Sequence, residues 1–165
     1  MPISRAGKPR SSEGGFTYLV VLVAVIVLGI LAEAAVTLTS HVAKSEREAE
    51  LLFRGEAYRE AIRRYYEAGG AVKYYPRKLD DLLTDPRFPE RHYLRALYTD
   101  PVSRNGKGEW NLLRSPDGGI AGVVSASRDE PRKKAGFPKG LESFEAAQSY
   151  ADWVFEYRPK VGRHP

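Results

Sequence analysis

From Phe16 to Ala32 the chain runs through 17 residues without a charge, and after Glu33 the apolar character resumes from Ala34 to Leu38. A stretch of about 17–25 such residues is long enough to cross a hydrocarbon core of roughly 30 Å. Directly in front of it lie Arg5, Lys8 and Arg10, opposed by the single acid Glu13. Basic flanks stay on the cytoplasmic side, so the N-terminus is expected inside and everything after Leu38 outside. A chain built this way is expected to be anchored in a membrane and to work on its far side.

The remainder bounds the chemistry. Of 165 residues, those beyond the apolar run suffice for one small domain with a modest core. The formal charge is +5, of which the leader supplies +2 (three bases, one acid). The surplus of about +3 left to the rest is mildly basic and is not by itself a nucleic-acid signature. The chain has no cysteine, which excludes disulfides, thiolate catalysis and cysteine zinc sites. His41, His92 and His164 are scattered, with no metal-ligand spacing and no nucleophile pattern around them. No glycine-rich phosphate loop occurs, and the paired acids Asp80-Asp81 and Asp129-Glu130 read as solvated surface. No catalytic residue, cofactor or metal is expected, and the chain is not expected to be an enzyme.

The N-terminus admits three readings. Ala32-Glu33-Ala34 fits the small-x-small pattern of a secretory signal peptide, which would release a soluble domain after Ala34, but the apolar run exceeds the usual signal length of roughly 7–15 residues. An uncleaved single-pass anchor explains the run and its charge bias but not Gly14-Gly15-Phe16-Thr17 at its entry. The third reading is that this entry resembles the N-terminus of type IV pilins and type II secretion pseudopilins, where a short basic leader ends in glycine ahead of an apolar helix. The resemblance implies cleavage by a prepilin peptidase between Gly15 and Phe16 and N-methylation of Phe16. The apolar segment would then be kept, as membrane anchor and as assembly surface. The chain departs from the family at Val20, where most members carry a glutamate thought to meet the N-terminal amine of a neighbour in the fibre. An unpaired carboxylate or amine among apolar helices is costly, so Val20 implies a position that needs no such pair, such as a tip.

Further along, Ser45 to Glu67 is rich in good helix formers, with Leu51, Tyr58, Ala61, Ile62 and Tyr65 or Tyr66 on one face. Pairs Glu56–Arg59 and Glu60–Arg64 support it, Glu46 and Glu50 oppose it, and Gly69-Gly70 ends it. The helix is expected to continue the apolar run, with a break near Thr37 to Ser40 as the alternative. Leu79 to Leu83 makes a short turn stopped by Asp85-Pro86, and Arg91 to Tyr98 could be helical. Three strands are expected: Glu109 to Leu113, Ile120 to Ser127 and Tyr150 to Tyr157, the first two joined by the turn Pro116-Asp117-Gly118-Gly119. The loop Arg128 to Gln148 is too long for a tight turn and holds a helical turn around Phe144 to Ala147.

Tyr75-Pro76, Leu79 to Leu83, Tyr93-Leu94, Asp100-Pro101 and Asn105-Gly106 follow the order seen in the G-type pseudopilin, a second resemblance that favours the secretion pseudopilins over pilins in general. That family binds calcium in the loop before its last strand. Here the loop is dominated by Arg132-Lys133-Lys134 and Lys139 and lacks the oxygen ligands calcium requires, so no calcium site is carried over.

The expected fold is therefore α+β: a long N-terminal transmembrane α-helix packed on a small antiparallel sheet, the pilin-like roll. Residues 1–15 are the cleaved leader, 16–40 the transmembrane and assembly helix, and 41–165 a periplasmic globular domain. The expected role is structural, as a pseudopilin subunit of a type II secretion system in the bacterial inner membrane, N-terminus cytoplasmic and domain periplasmic. Its partners would be other pseudopilins, the inner-membrane secretion platform, the prepilin peptidase/methyltransferase and the membrane, with no nucleic acid. The alternatives are a minor type IV pilin with a binding role, such as DNA through Arg132 to Lys134 or adhesion, and a soluble domain released after Ala34.

Overall fold

A computed structural model describes residues 13–104 and 107–159, with side chains described from 17 to 31 and from 42 onward within those ranges. The leader up to residue 12, the Asn105-Gly106 turn and His164 lie outside the described residues. The chain divides into two units, Met1–Ala43 and Lys44–Pro165, and a single helix, α1 (Glu13–Glu67), supplies residues to both. It runs through 37–40 without the break that the β-branched cluster there allows. β-Branched residues disfavour a helix only weakly, and no proline interrupts the stretch.

The second unit is α+β. Its sheet holds β1 (Asn111–Arg114), β2 (Ile120–Val124) and β3 (Val154–Glu156), in the order β1-β2-β3 with both pairs antiparallel. The register sets Leu112 opposite Val123 and Val123 opposite Phe155, and it slips by one residue between Leu113 and Arg114. The helical spacing read from the sequence forms the opposing face: Leu51, Tyr58, Ala61, Ile62 and Tyr65 are all buried. They meet Trp110, Ile120, Val123, Leu141, Phe144, Trp153 and Phe155 in one cluster. Helix and sheet approach closely at Gly55, where a Cβ would lie 2.4 Å from the Phe155 ring. Past Glu67 the helix stops, with Gly69 donating to the Tyr66 carbonyl (3.3 Å) and Gly70 taking a positive φ of 62°. Glycine adopts that conformation without a Cβ penalty.

Several local expectations are corrected. Residues 91–98 run as irregular chain rather than helix. The Tyr93 and Leu94 amides both donate to the Leu82 carbonyl (2.9 and 3.0 Å), and the Tyr98 amide donates to the Tyr58 hydroxyl (2.9 Å). These partners take the amides that a helix would need. The first strand starts two residues later than expected. The second ends at Val124 because Ser125 and Ala126 turn to Asp100 instead. The last loses its first half to a 3-10 turn at Tyr150–Asp152, where the Asp152 carboxylate accepts the Gln148 and Ser149 amides (3.1 and 2.8 Å). A further 3-10 turn spans Glu142–Ala146, one at the expected place around Phe144. On α1, Glu60 pairs with Arg63 instead of Arg64, and Glu50 is drawn to Arg54 (2.7 Å) away from Glu46; Glu56 pairs with Arg59 as expected (2.7 Å).

Candidate functional site

In the first unit, every side chain described from 17 to 31 is exposed, and all are uncharged. Tyr18 is 70% exposed, Leu28 65% and Val20 51%. Soluble proteins seldom leave such a run of apolar groups bare, and a helix apolar all round normally meets lipid or protein on every side. Gly29 has nothing within 4 Å of where a Cβ would stand, so the helix surface there is open to close approach. Among the described residues no helix is long and apolar enough to cross a membrane.

Gly15 and Phe16, the expected cleavage pair, lie near the start of α1, as do Thr17 and Val20 further along it. The side chain of Phe16, and those of Ala32-Glu33-Ala34 and His41, lie outside the described residues. The sequence motif and the exposed apolar run are thus consecutive on one helix.

In the second unit, the basic loop is held by an acid. Glu48 is only 4% exposed. Its two carboxylate oxygens accept the Arg132 amide (3.1 Å), the Lys133 amide (2.6 Å) and the Tyr150 hydroxyl (3.0 Å). Lys44 Nζ donates to the Glu130 carbonyl (3.1 Å), and the Tyr150 amide to the Asp129 carbonyl (3.0 Å). A buried carboxylate is tolerated when several donors replace its water. Burial, reinforced by the adjacent Glu48 charge, pushes the Tyr150 phenol well above its ordinary range. Asp129 pairs with Arg104 (2.9 Å) and Glu130 with Lys134 (3.0 Å), while the Lys133 ammonium sits over the Phe137 ring, 5.1 Å from its centre.

Two more buried acids shape the same unit. Asp85, fully buried, accepts the Arg87 guanidinium through Nε and Nη2 (2.9 and 2.8 Å) and the Tyr93 hydroxyl (2.8 Å). Arg87 also donates to the Tyr65 carbonyl (2.7 Å) and lies 3.8 Å over the Tyr65 ring. Burial alone would raise the Asp85 carboxyl, but the bonds from Arg87 and Tyr93 outweigh it and hold the group below its usual value. Asp100 accepts Ser125 Oγ (2.7 Å) and the Ala126 and Val102 amides (3.1 and 3.0 Å).

The other residues singled out in the sequence stay apart. Asp80 and His92 are exposed, and His92 rests on the Leu83 carbonyl through Nδ1 (2.5 Å). Among the described residues no group of three or more His, Asp or Glu side chains could hold a metal. Glu48 escaped the sequence reading, because one acid in Ser45-Glu46-Arg47-Glu48-Ala49-Glu50 carries no mark that distinguishes it from its solvated neighbours. Comparison with family models, with curated proteins and with solved structures found no match to this chain.

Proposed function

We propose that this chain is a structural subunit of a pilin-like fibre, a pseudopilin of the type II secretion class, with no active site of its own. The observation that carries this reading is the helix surface from 17 to 31, uncharged, predominantly apolar and exposed on all its described residues, directly behind the Gly15-Phe16 motif. The basic leader keeps the N-terminus in the cytoplasm, and the run through Leu38 supplies the anchor. A prepilin peptidase cuts after Gly15, and Phe16 is N-methylated. The subunit waits in the inner membrane with its 41–165 domain in the periplasm. Assembly exchanges lipid around the apolar helix for the helices of other pseudopilins, with the work supplied by a cytoplasmic ATPase acting through the inner-membrane platform. Val20 gives no carboxylate for a neighbour's amine, which suits a subunit at a tip or in small numbers rather than one in a long homopolymer.

The deciding experiment is intact-mass analysis of the mature protein extracted from membranes. The expected product begins at Phe16 and carries one methyl group, and Gly15→Leu leaves the longer precursor. A product beginning at Ala35 points instead to release by signal peptidase. One beginning at Met1 or Pro2 points to a plain anchor. Either result refutes the proposal.

A further inference from the structure

The sheet of the second unit ends in an open edge. Its order β1-β2-β3 leaves the far side of β1 without a neighbouring strand. The ladder shows which backbone groups are spare there. The Tyr157 amide donates to the Ala121 carbonyl (3.0 Å), so Ala121 and Val123 turn their backbone groups to β3, while Gly122 and Val124 turn theirs to β1. Those two lie opposite Leu113 and Asn111. Leu112, between them, therefore points its N–H and C=O away from β2, and among the described residues neither has a partner. Spare backbone groups on a sheet edge are a template for another strand.

The side chain of the same residue meets a groove. Leu112 lies opposite Val123, and Val123 opposite Phe155, so all three share the face that packs on α1. On that face Leu112 lines a shallow groove of about 330 Å³ together with Leu79, Leu97, Tyr98 and Trp110. Leu97 is 40% exposed and Leu112 37%, and Phe53 lies edge-on to Tyr98, 6.5 Å between centroids. Of the described residues lining the groove, only Lys107 and Glu109 are charged, with opposite signs, so net charge does not select what enters.

We infer that β1 takes up an extended segment of a partner protein as a fourth, antiparallel strand, with one large apolar side chain of that segment filling the groove. The spare groups dictate this occupant. A residue set opposite Leu112 exchanges both backbone bonds with it and places its own side chain on the same face, over the groove. Its two neighbours face away, where polar side chains serve. A helix cannot substitute, because along its length its N–H and C=O groups are bonded internally. The register slip after Leu113 bends the edge, which limits the site to a short polar-apolar-polar motif. Main-chain bonds supply affinity and the groove selects the side chain. The inference concerns the second unit alone and does not depend on the anchor reading.

The probe is a dye-labelled peptide, Lys-Thr-Thr-Phe-Thr-Thr-Lys, titrated by fluorescence anisotropy against the full-length chain in detergent, with empty micelles as the blank. N-methylation of the phenylalanine removes the donor to the Leu112 carbonyl and should weaken binding about tenfold. N-methylation of the threonine after it removes a donor that points away from β1 and should leave binding unchanged. A peptide with serine in place of phenylalanine should bind severalfold more weakly. Leu112→Pro removes the outward N–H at an edge position where proline is tolerated, and should also weaken binding severalfold. Val154→Pro, the matching change on the open edge of β3, should have no effect. Bound peptide should slow amide exchange at Leu112. No binding by the parent peptide, equal loss with the two methylated peptides, or equal loss in the two protein variants overturns the inference. So does exchange at Leu112 that slows with protein concentration before any peptide is added, which would make the edge a contact between copies of this chain.

Discussion

Gly55→Ala sets two effects against each other. Alanine in a helix interior is better than glycine by about 1 kcal/mol, so propensity alone predicts a more stable protein. The new methyl, however, would stand 2.4 Å from Phe155 Cδ2 and Cε2 and 2.5 Å from Cγ, where carbon pairs prefer roughly 3.5–4.0 Å. The ring cannot swing aside. Phe155 is fully buried, edge-on to Trp110 at 6.3 Å and to Phe144 at 5.2 Å between centroids. Helix and sheet must separate, and overpacking of this kind costs about 1–3 kcal/mol or more. With three ring atoms in contact the upper end applies, and the net loss is expected to be roughly 2 kcal/mol. Urea unfolding of the unit from residue 44 onward, followed by the fluorescence of Trp110 and Trp153, measures it as a lower midpoint at unchanged slope. Phe155→Leu in the same chain should give a double mutant less destabilised than the sum of the singles. Gly29→Ala in the full-length chain, where no atom lies within 4 Å, should leave that transition unmoved. A Gly55→Ala protein as stable as the parent would mean that helix and sheet do not meet at this distance, and the reasoning would fail.

Other outcomes follow from the same packing. A chain beginning at Val42 should remain soluble and unfold in one cooperative step, since the cluster of Leu51, Tyr58, Trp153 and Phe155 lies wholly within it; gel filtration and calorimetry check this, and an aggregated product counts against it. Asp85→Asn should cost roughly 3 kcal/mol in urea melts, because it strands the half-buried Arg87 guanidinium without its carboxylate. The lowered Asp85 group contributes stability that is complete above about pH 4, its ordinary value, and is lost as the pH falls through its native value; acid melts of the parent should show this slope, and Asp85→Asn should flatten it. Tyr65, raised to about 12 chiefly by burial, works in the opposite sense: its share is present below about pH 10 and is lost as the pH rises towards 12, so alkaline unfolding and tyrosinate absorbance should appear together.

What could be read beforehand was whatever repeats along the chain. The 3.6-residue spacing of Leu51, Tyr58, Ile62 and Tyr65 marked the buried face of α1, and Pro116 to Gly119 marked the hairpin turn. Strand ends were misplaced wherever a side chain competes for the backbone, as Asp152 does at the start of β3 and Asp100 does at the end of β2. Such competition depends on residues distant in sequence: Asp100 and Ser125 are 25 positions apart. Gly55 gave no warning either. A lone glycine in a helix lowers confidence in the helix, and only the nearness of Phe155 shows what it is for. In the candidate region the Gly15-Phe16 motif and the apolar run were visible as strings of residues. Glu48 was not, because its role arises from amides some 84 positions later.

That separation bears on when the domain can fold. The bond from Tyr150 to Glu48 joins residues 102 positions apart, and the bond from Tyr157 to Glu67 joins residues 90 apart. The core side chains Trp153 and Phe155 come just before β3 and within it. Contacts this distant in sequence are late and slow to form. A polypeptide leaving the ribosome N-terminus first therefore has its helical half made long before it has anything to bury that half against. The helix must wait as an open thread, and only the synthesis of residues 153–156 lets the unit close over it. A chain cut before Trp153 would thus be more than shorter: it would hold the helical face of a core and lack the side chains that cover it.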